Sequence, residues 1–99
     1  MKYQLHTVLK NLDGTTSIKG PDSAVVTFQN VAVACLVNAA LSDGAEKYEC
    51  FRLAVKLQSR DGDVELEAEE VALLKRLIGA SMPVVIVGRM FELLDQKHA

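Results

Sequence analysis

Residues 28–41 have the sequence FQNVAVACLVNAAL, the longest mostly apolar segment of this 99-residue chain. Its only polar side chains are Gln29, Asn30 and Asn38. A helix that is hydrophobic on all sides has to be buried, so the segment predicts a central helix around which the rest of the chain packs. Thr27 is a suitable N-cap for it. The β-branched residues of VAVACLV leave a buried strand as the alternative, but the length and the alanine-rich second half favour the helix.

The residues before this helix predict a β-hairpin at about 3–19. Residues 3–9 alternate imperfectly between apolar and polar side chains and are rich in β-formers, which is typical of a strand. The sequence Asn11-Leu-Asp-Gly14 is a turn signal, since Asp-Gly readily supplies a positive φ. Residues 15–19 are the candidate return strand, and Gly20-Pro-Asp-Ser23 ends it. Whether more than two strands pair here stays open.

A second helix is predicted at about 45–59, where Asp43 and Glu46 form a plausible capping box. Its apolar side chains are expected to point inward as one wide face. That face comprises Tyr48, Phe51 and Val55 on one stripe, with Cys50, Leu53, Ala54 and Leu57 beside them. After the turn 59–63, residues 64–66 are a short extended piece.

Two more helices are predicted at about 68–78 and 83–95. Gly79 is the expected C′ residue that ends the first of them, and Pro83 is tolerated in the first turn of the second. In the last helix the expected inward residues are Val84, Val87, Met90, Phe91 and Leu94. Gly88 costs about 1 kcal/mol relative to alanine in a helix interior, which suggests that another backbone passes close to it.

These elements predict an α+β fold, with an N-terminal β-hairpin followed by a compact bundle of about four helices. A chain of 99 residues is long enough for one domain, here 1–99, with a core of its own. About half of the residues are apolar and a quarter are charged, as in ordinary globular proteins.

Charge and composition argue against several classes of protein. The formal net charge of −2 argues against a general nucleic-acid binder, which normally carries a basic excess. The N-terminus lacks the apolar core of a signal peptide, and no apolar run is long enough to cross a membrane. Cys35 and Cys50 fall among apolar residues of predicted helices, so we expect buried, reduced thiols. Reduced thiols fit a cytoplasmic setting.

The residues that carry chemistry do not form a recognisable site. Cys35 and Cys50 are not spaced as a metal-binding pair, and His6 and His98 have no partner at ligand spacing. The acidic stretch 61–70 resembles a calcium loop, but aligning it places Leu57 and Ala68 at the first and twelfth ligand positions, where oxygen donors are needed. No nucleophile motif or phosphate loop is present. We therefore predict no catalytic residue, no cofactor and no metal, and a protein that is not an enzyme.

Two surfaces are candidates for binding another protein. Val85 falls on the otherwise polar side of the last helix, and with Met82, Arg89 and Glu92 it forms a candidate interface patch. The second candidate is the wide apolar face of helix 45–59, because it is wider than a monomer of this size is expected to bury in its own core. It would favour self-association through helix packing.

A DNA-binding helix-turn-helix is the alternative, because helices 68–78 and 83–95 are joined by a glycine-containing turn. The outer face of the second helix has only Arg89 as an obvious donor, beside Glu92 and Asp95. Such a surface would be repelled by DNA.

The order of elements over 26–94 resembles a group of small uncharacterised proteins encoded by tailed bacteriophages and prophages. The matching residues lie in three helices: Glu46, Lys47, Phe51, Leu53, Ala54, Lys56 and Leu57; then Ala68-Glu-Glu-Val-Ala-Leu-Leu-Lys75 with Ile78-Gly79; then Pro83, Val85, Val87-Gly88, Leu93 and Leu94. The sequence departs from the pattern at Glu67, where a threonine or serine N-cap is expected, and at Phe91, near which the group has a tryptophan. The resemblance implies a fold and a context, a phage product in the bacterial host cytoplasm, and no active site.

The leading hypothesis is therefore a non-enzymatic phage-type protein that acts through protein–protein interaction, with self-association as one form of it. The rival hypotheses are a DNA-binding or transcriptional regulatory protein and an enzyme whose site the sequence hides. The sequence does not name the partner or the oligomeric state.

Overall fold

The computed structural model describes residues 1–20 and 23–95, and within them it contains two strands and four helices. The strands are β1 (Lys2–Gln4) and β2 (Asp63–Glu65), and the helices are α1 (Phe28–Val37), α2 (Gly44–Ser59), α3 (Ala68–Ser81) and α4 (Val84–Asp95). The predicted class, α+β with an N-terminal antiparallel hairpin and four helices, is confirmed. His98 and the middle of the predicted turn at Gly20–Ser23 lie outside the described residues.

Strand β1 takes its partner from the middle of the chain. It pairs antiparallel with β2, and Tyr3 lies opposite Val64. The N–H of Leu5 donates to the carbonyl of Gly62 at 2.8 Å, which extends the pairing by one step. The short extended piece expected at 64–66 is therefore the partner of the first strand rather than an isolated segment.

The predicted turn at 11–14 forms the tip of the hairpin. Gly14 has a φ of +73°, the left-handed conformation that glycine adopts readily, and an antiparallel bridge joins Lys10 to Ser17 behind it. The N–H groups of Thr15 and Thr16 donate to the Asp13 carboxylate at 2.9 and 3.0 Å. The Asp13 carboxylate thus stabilises the turn through hydrogen bonds to its backbone.

A third arm joins the hairpin, which answers the question that the sequence left open. The N–H of Leu9 donates to the Val26 carbonyl, that of Val26 to Ile18, and that of Ile18 to Leu9, each at 2.9 Å. These three bonds close a ring. It fixes the segment that leads into α1 against both arms of the hairpin.

Helix α1 begins as predicted and ends four residues earlier than the predicted 41. The Thr27 hydroxyl accepts from the N–H of Asn30 at 3.3 Å, which confirms the N-cap. At the other end, Asn38 donates to the Ala34 carbonyl through its side chain at 2.9 Å and through its backbone N–H at 3.1 Å. Asparagine side chains compete with the helix in this way. The expected continuation through 38–41 is therefore wrong.

The burial of α1 is one-sided. Its buried residues are Phe28, Val31, Ala32, Cys35 and Leu36, which contact α2 and α3. Val37, however, is 63% exposed. The expectation of a helix covered on every side is wrong, because helices α2 and α3 cover only one side of it.

A buried tyrosine joins the two ends of the described chain. The ring of Tyr3 stacks on that of Phe28, with centroids 5.7 Å apart and an interplanar angle of 7°. Its hydroxyl donates to the carbonyl of Leu94 at 2.8 Å in a buried position. Burial raises the pKa of Tyr3. This one side chain links β1, α1 and the last turn of α4.

Three expectations for α3 and α4 are corrected. Helix α3 continues past Gly79 to Ser81, whose hydroxyl donates to the Leu77 carbonyl at 2.8 Å, so Gly79 is not the residue that ends it. A Cβ placed on Gly79 would lie 3.6 Å from Cζ of Phe91, whereas one on Gly88 would have nothing within 4 Å. The close approach of another backbone expected at Gly88 is therefore wrong, and the neighbour of Gly79 is a side chain at ordinary van der Waals distance. Val84, expected inside, is 87% exposed because it lies in the first turn of α4, beyond the core.

The N-terminus of α3 is better capped than a glutamate at position 67 would suggest. The Glu70 carboxylate accepts from the N–H of Glu67 at 2.8 Å, and Lys56 pairs with the same carboxylate at 3.0 Å. The departure from a serine or threonine cap is thereby offset.

Candidate protein-binding surface

Helix α2 presents apolar residues on two different sides. Cys50, Leu53, Ala54 and Leu57 are buried in the core. Tyr48 and Phe51 are each 62% exposed, and Val55 is 50% exposed. The expectation that all seven point inward is wrong for these three, because α1 packs against the buried face of α2 and leaves the side of Tyr48, Phe51 and Val55 exposed. We call Tyr48, Phe51 and Val55 the α2 stripe.

The two rings of the stripe lie against each other on the surface. The centroids of Tyr48 and Phe51 are 6.3 Å apart with an interplanar angle of 22°. The guanidinium carbon of Arg52 lies 6.0 Å from the centroid of the Tyr48 ring, within reach of a cation–π contact. The two rings and the guanidinium thus contact one another on the surface of the free protein.

An apolar groove of about 360 Å³ opens beside Phe51, between α2 and the segment that follows α1. It exists because α1 ends at Val37 and the chain then crosses towards the start of α2. Val37 is one of its lining residues. The remaining lining residues are Leu36, Ala39, Leu41, Lys47, Cys50 and Phe51. The stripe and the groove form one continuous surface, since Phe51 belongs to both.

Two cations border this surface. Lys47 lines the groove together with Phe51, and Arg52 lies over Tyr48 on the opposite side of the stripe. Within residues 1–20 and 23–95 neither side chain forms an ion pair. The nearby carboxylate of Glu46 is engaged by Arg76 at 3.4 Å.

The four residues predicted as an interface patch do not lie in one groove. Met82 lines an apolar groove of about 380 Å³ beside α1, whereas Arg89 and Glu92 line another, smaller one beside the hairpin. Val85 is half-buried. That a partner binds at these residues stays a prediction.

Arg89 forms hydrogen bonds within the fold. Its Nε donates to the Lys10 carbonyl at 3.0 Å, its Nη2 to the Asn11 carbonyl at 2.8 Å and its Nη1 to Glu92 at 3.2 Å. This guanidinium therefore ties α4 to the hairpin and has few donors left for a ligand.

The cysteines are buried free thiols, as predicted. Burial raises the pKa of Cys35, and burial together with the nearby carboxylates of Glu46 and Glu49 raises the pKa of Cys50. A raised pKa disfavours the reactive thiolate, so neither cysteine is an activated nucleophile.

One histidine lies beside a carboxylate at the surface. Nε2 of His6 lies 2.9 Å from Oδ1 of Asp61, and both side chains are exposed. In the described part of the chain, no group of three or more histidine, cysteine, aspartate or glutamate side chains is placed to hold a metal ion. Among the helices described, none is long and apolar enough to cross a membrane.

Comparison with known proteins found no matching family model, no similar curated protein and no similar solved structure. The resemblance to phage proteins therefore stays a prediction, carried by the core and capping residues quoted above.

Proposed function

We propose that the protein is a non-enzymatic binding protein of the phage type, which acts by docking another protein chain on the α2 stripe. The observation that carries this proposal is the exposed ring pair of Tyr48 and Phe51, continued by Val55 one turn later. Contiguous apolar patches on a small protein commonly mark interaction sites. Tyrosine and arginine are also among the residues enriched where binding energy concentrates.

The spacing of the stripe fits a helix as its partner. Residues three and seven positions apart lie on one side of a helix, so Tyr48, Phe51 and Val55 present a straight row that a second helix can pack along. Docking of one amphipathic helix on another apolar helix surface is a recurring mode of recognition. The partner is either a different protein or a second copy of this chain.

The proposed setting is the cytoplasm of a bacterial host. The two reduced cysteines and the resemblance to phage products support it. The DNA-binding alternative is weaker, because Arg89, the donor it needs, is engaged by the carbonyls of Lys10 and Asn11. Retention on duplex DNA that falls as salt rises would favour the alternative.

Photo-crosslinking tests the proposal at single-residue resolution. With p-benzoylphenylalanine in place of Phe51, irradiation of bacterial cells that express the protein should give a discrete covalent adduct. The matched control carries the same group at Ala72, which is exposed on α3. An adduct from position 51 alone supports the proposal, and one of twice the chain mass identifies self-association. No adduct from position 51, or the same adducts from both positions, would contradict it.

A further inference from the structure

We propose that the turn between α2 and β2 is a site of spontaneous covalent modification, at which Asp61 isomerises to isoaspartate by reaction with the backbone nitrogen of Gly62. The chain contains three Asp-Gly pairs, at 13–14, 43–44 and 61–62. Such pairs are prone to this reaction because glycine has no side chain to hinder attack by its own nitrogen. The fold restrains the first two pairs and leaves the third free to react.

The reaction needs only the two residues and water. The Gly62 nitrogen attacks Cγ of Asp61, forms a C–N bond and loses its proton, while one carboxyl oxygen leaves as water. Water then adds to one of the two carbonyls of the resulting succinimide ring. Opening at the original main-chain carbonyl gives isoaspartate, and opening at Cγ restores aspartate. One water leaves and one returns, so no oxidant or co-reactant is required.

The hairpin turn restrains both reacting groups of the first pair. Oδ1 of Asp13 accepts from the N–H groups of Thr15 and Thr16 at 2.9 and 3.0 Å, and Oδ2 accepts from the Thr16 hydroxyl at 2.8 Å. The Gly14 N–H donates to the Asn11 carbonyl at 3.0 Å. The bonds from Thr15 and then Thr16 also lower the pKa of Asp13 to about 2, and an ionised carboxylate has no oxygen ready to leave as water. Several bonds must therefore break before Asp13 can react.

The start of α2 restrains the second pair. Oδ1 of Asp43 caps the helix by accepting from the N–H of Ala45 at 3.0 Å, and the Asp43 carbonyl accepts from the N–H of Lys47 at 3.0 Å. Gly44 is the first residue of the helix. Closing the ring would turn the carboxylate away from Ala45 and rotate the peptide bond out of the first helical turn. Reaction at Asp43 therefore removes the N-cap of α2.

The turn between α2 and β2 does not restrain the third pair in this way. The Asp61 side chain is 98% exposed, and within the described residues its only bonded partner is Nε2 of His6 at 2.9 Å. Both side chains are exposed, so this contact contributes little and breaks readily. The Gly62 N–H donates to no group in residues 1–20 and 23–95. A Cβ placed on Gly62 would have nothing within 4 Å, so the ring has room to close.

The product is expected to weaken the pairing of the two strands. An isoaspartyl residue adds one atom to the main chain immediately before Gly62, whose carbonyl accepts from the N–H of Leu5 at 2.8 Å. That bond continues the pairing of β1 with β2, in which Tyr3 lies opposite Val64. The added atom displaces the carbonyl from Leu5. We therefore expect the isoaspartyl form to unfold at a lower temperature than the native form.

Peptide mapping of the aged protein measures the three pairs side by side. The folded full-length protein is held at neutral pH and physiological temperature, and samples are digested after lysine, which places the pairs in the separate peptides 11–19, 20–47 and 57–75. Electron-transfer fragmentation distinguishes isoaspartate from aspartate in each peptide. Isoaspartate should accumulate at Asp61 about tenfold faster than at Asp13 or Asp43, because breaking two hydrogen bonds first slows a reaction by about that factor.

Ageing the unfolded chain separates the effect of the fold from that of the neighbouring residues. In guanidinium chloride the restraints at Asp13 and Asp43 are lost, so the three rates should converge. A preference for Asp61 that persists in the unfolded chain would overturn the proposal, because the local sequence would then select the site. Isoaspartate that forms in the folded protein first at Asp13 or Asp43, or none at Asp61, would overturn it as well.

A matched variant tests the consequence for the strands. Asp61→Glu keeps the charge but would have to form a larger ring, so it should resist the reaction. After ageing, the wild type should unfold at a lower temperature than fresh protein, and Asp61→Glu should unfold as it did before. An aged wild type that carries isoaspartate at position 61 and unfolds as fresh protein does would overturn the expected loss of strand pairing.

Discussion

The two faces of α2 are built from similar residues but have different roles. On the inner face, Leu53 and Leu57 are buried in the core, and α2 packs against α1. On the outer face, Phe51 and Val55 contact solvent, although burying such side chains fully would contribute about 1.5–3 kcal/mol each. An apolar side chain that the fold leaves exposed is available to a partner. The difference between the faces lies in what covers them, not in their composition.

The largest expected effect is on the inner face. Leu57→Ala removes a side chain that is fully buried, and the lost burial and the cavity left behind should lower the free energy of unfolding by about 2–5 kcal/mol. Val55→Ala, two residues earlier on the outer face, should change it by about 0.5 kcal/mol or less. Urea denaturation of both variants measures the contrast. Equal losses would mean that the two faces are equally covered.

A matched pair of tyrosines extends the comparison beyond α2. Tyr3→Phe leaves the buried carbonyl of Leu94 without its donor, and an unsatisfied buried group costs about 1–3 kcal/mol. Tyr48→Phe, on the stripe, should leave stability unchanged because water already solvates that hydroxyl. Thermal and chemical unfolding of the two variants should differ accordingly. A stable Tyr3→Phe protein would show that this link between β1 and α4 is dispensable.

Neighbouring residues on the two faces should also differ in chemical reactivity. Cys50 is buried and its pKa is raised, so it should react slowly with a disulfide reagent until the protein unfolds. In the variant Phe51→Cys, the new thiol should react at once under native conditions. The rates, followed by absorbance with and without urea, give the comparison. Fast reaction of Cys50 in the native protein would contradict its placement in the core.

The smallest effect is expected at a site that contacts neither face. The N–H groups of Thr15 and then Thr16 lower the pKa of Asp13 to about 2 in the folded protein, from an ordinary value of 3.8. The stability that this carboxylate contributes is therefore present above pH 4 and is lost as the pH falls towards 2. Asp13→Asn should remove that part of the acid dependence and leave the wild-type stability profile otherwise parallel. If Asp13→Asn loses stability at low pH just as the wild type does, the Asp13 carboxylate does not have this role in the turn.

Much of the fold was predictable because its signals are local. Thr27 and Asp43 cap α1 and α2 as their sequence positions suggest, and the Asp-Gly turn forms where it was expected. The errors have particular causes. Asn38 ends α1 through a side-chain bond that competes with the helix, and the pairing of Tyr3 with Val64 spans most of the chain. No local pattern encodes such a distant contact.

The candidate surface was only half predictable. The spacing of Tyr48, Phe51 and Val55 was visible in the sequence, as was the excess width of the apolar face. Which part of that face stays exposed depends on where α1 packs, and periodicity in one helix does not contain that information. Arg89 illustrates the opposite error. The sequence placed it on the outer face of the last helix as a candidate binding residue, whereas its guanidinium donates to a backbone carbonyl of the hairpin.

The most direct test of the account introduces the same charge on each face of α2. Phe51→Asp should fold with the circular dichroism spectrum of the wild type and lose about 0.5 kcal/mol or less in urea denaturation. Leu53→Asp buries an unpaired carboxylate and should lose about 3–5 kcal/mol or fail to fold. If Phe51→Asp is destabilised as strongly as Leu53→Asp, the outer face is part of the core, and the surface proposed for binding does not exist.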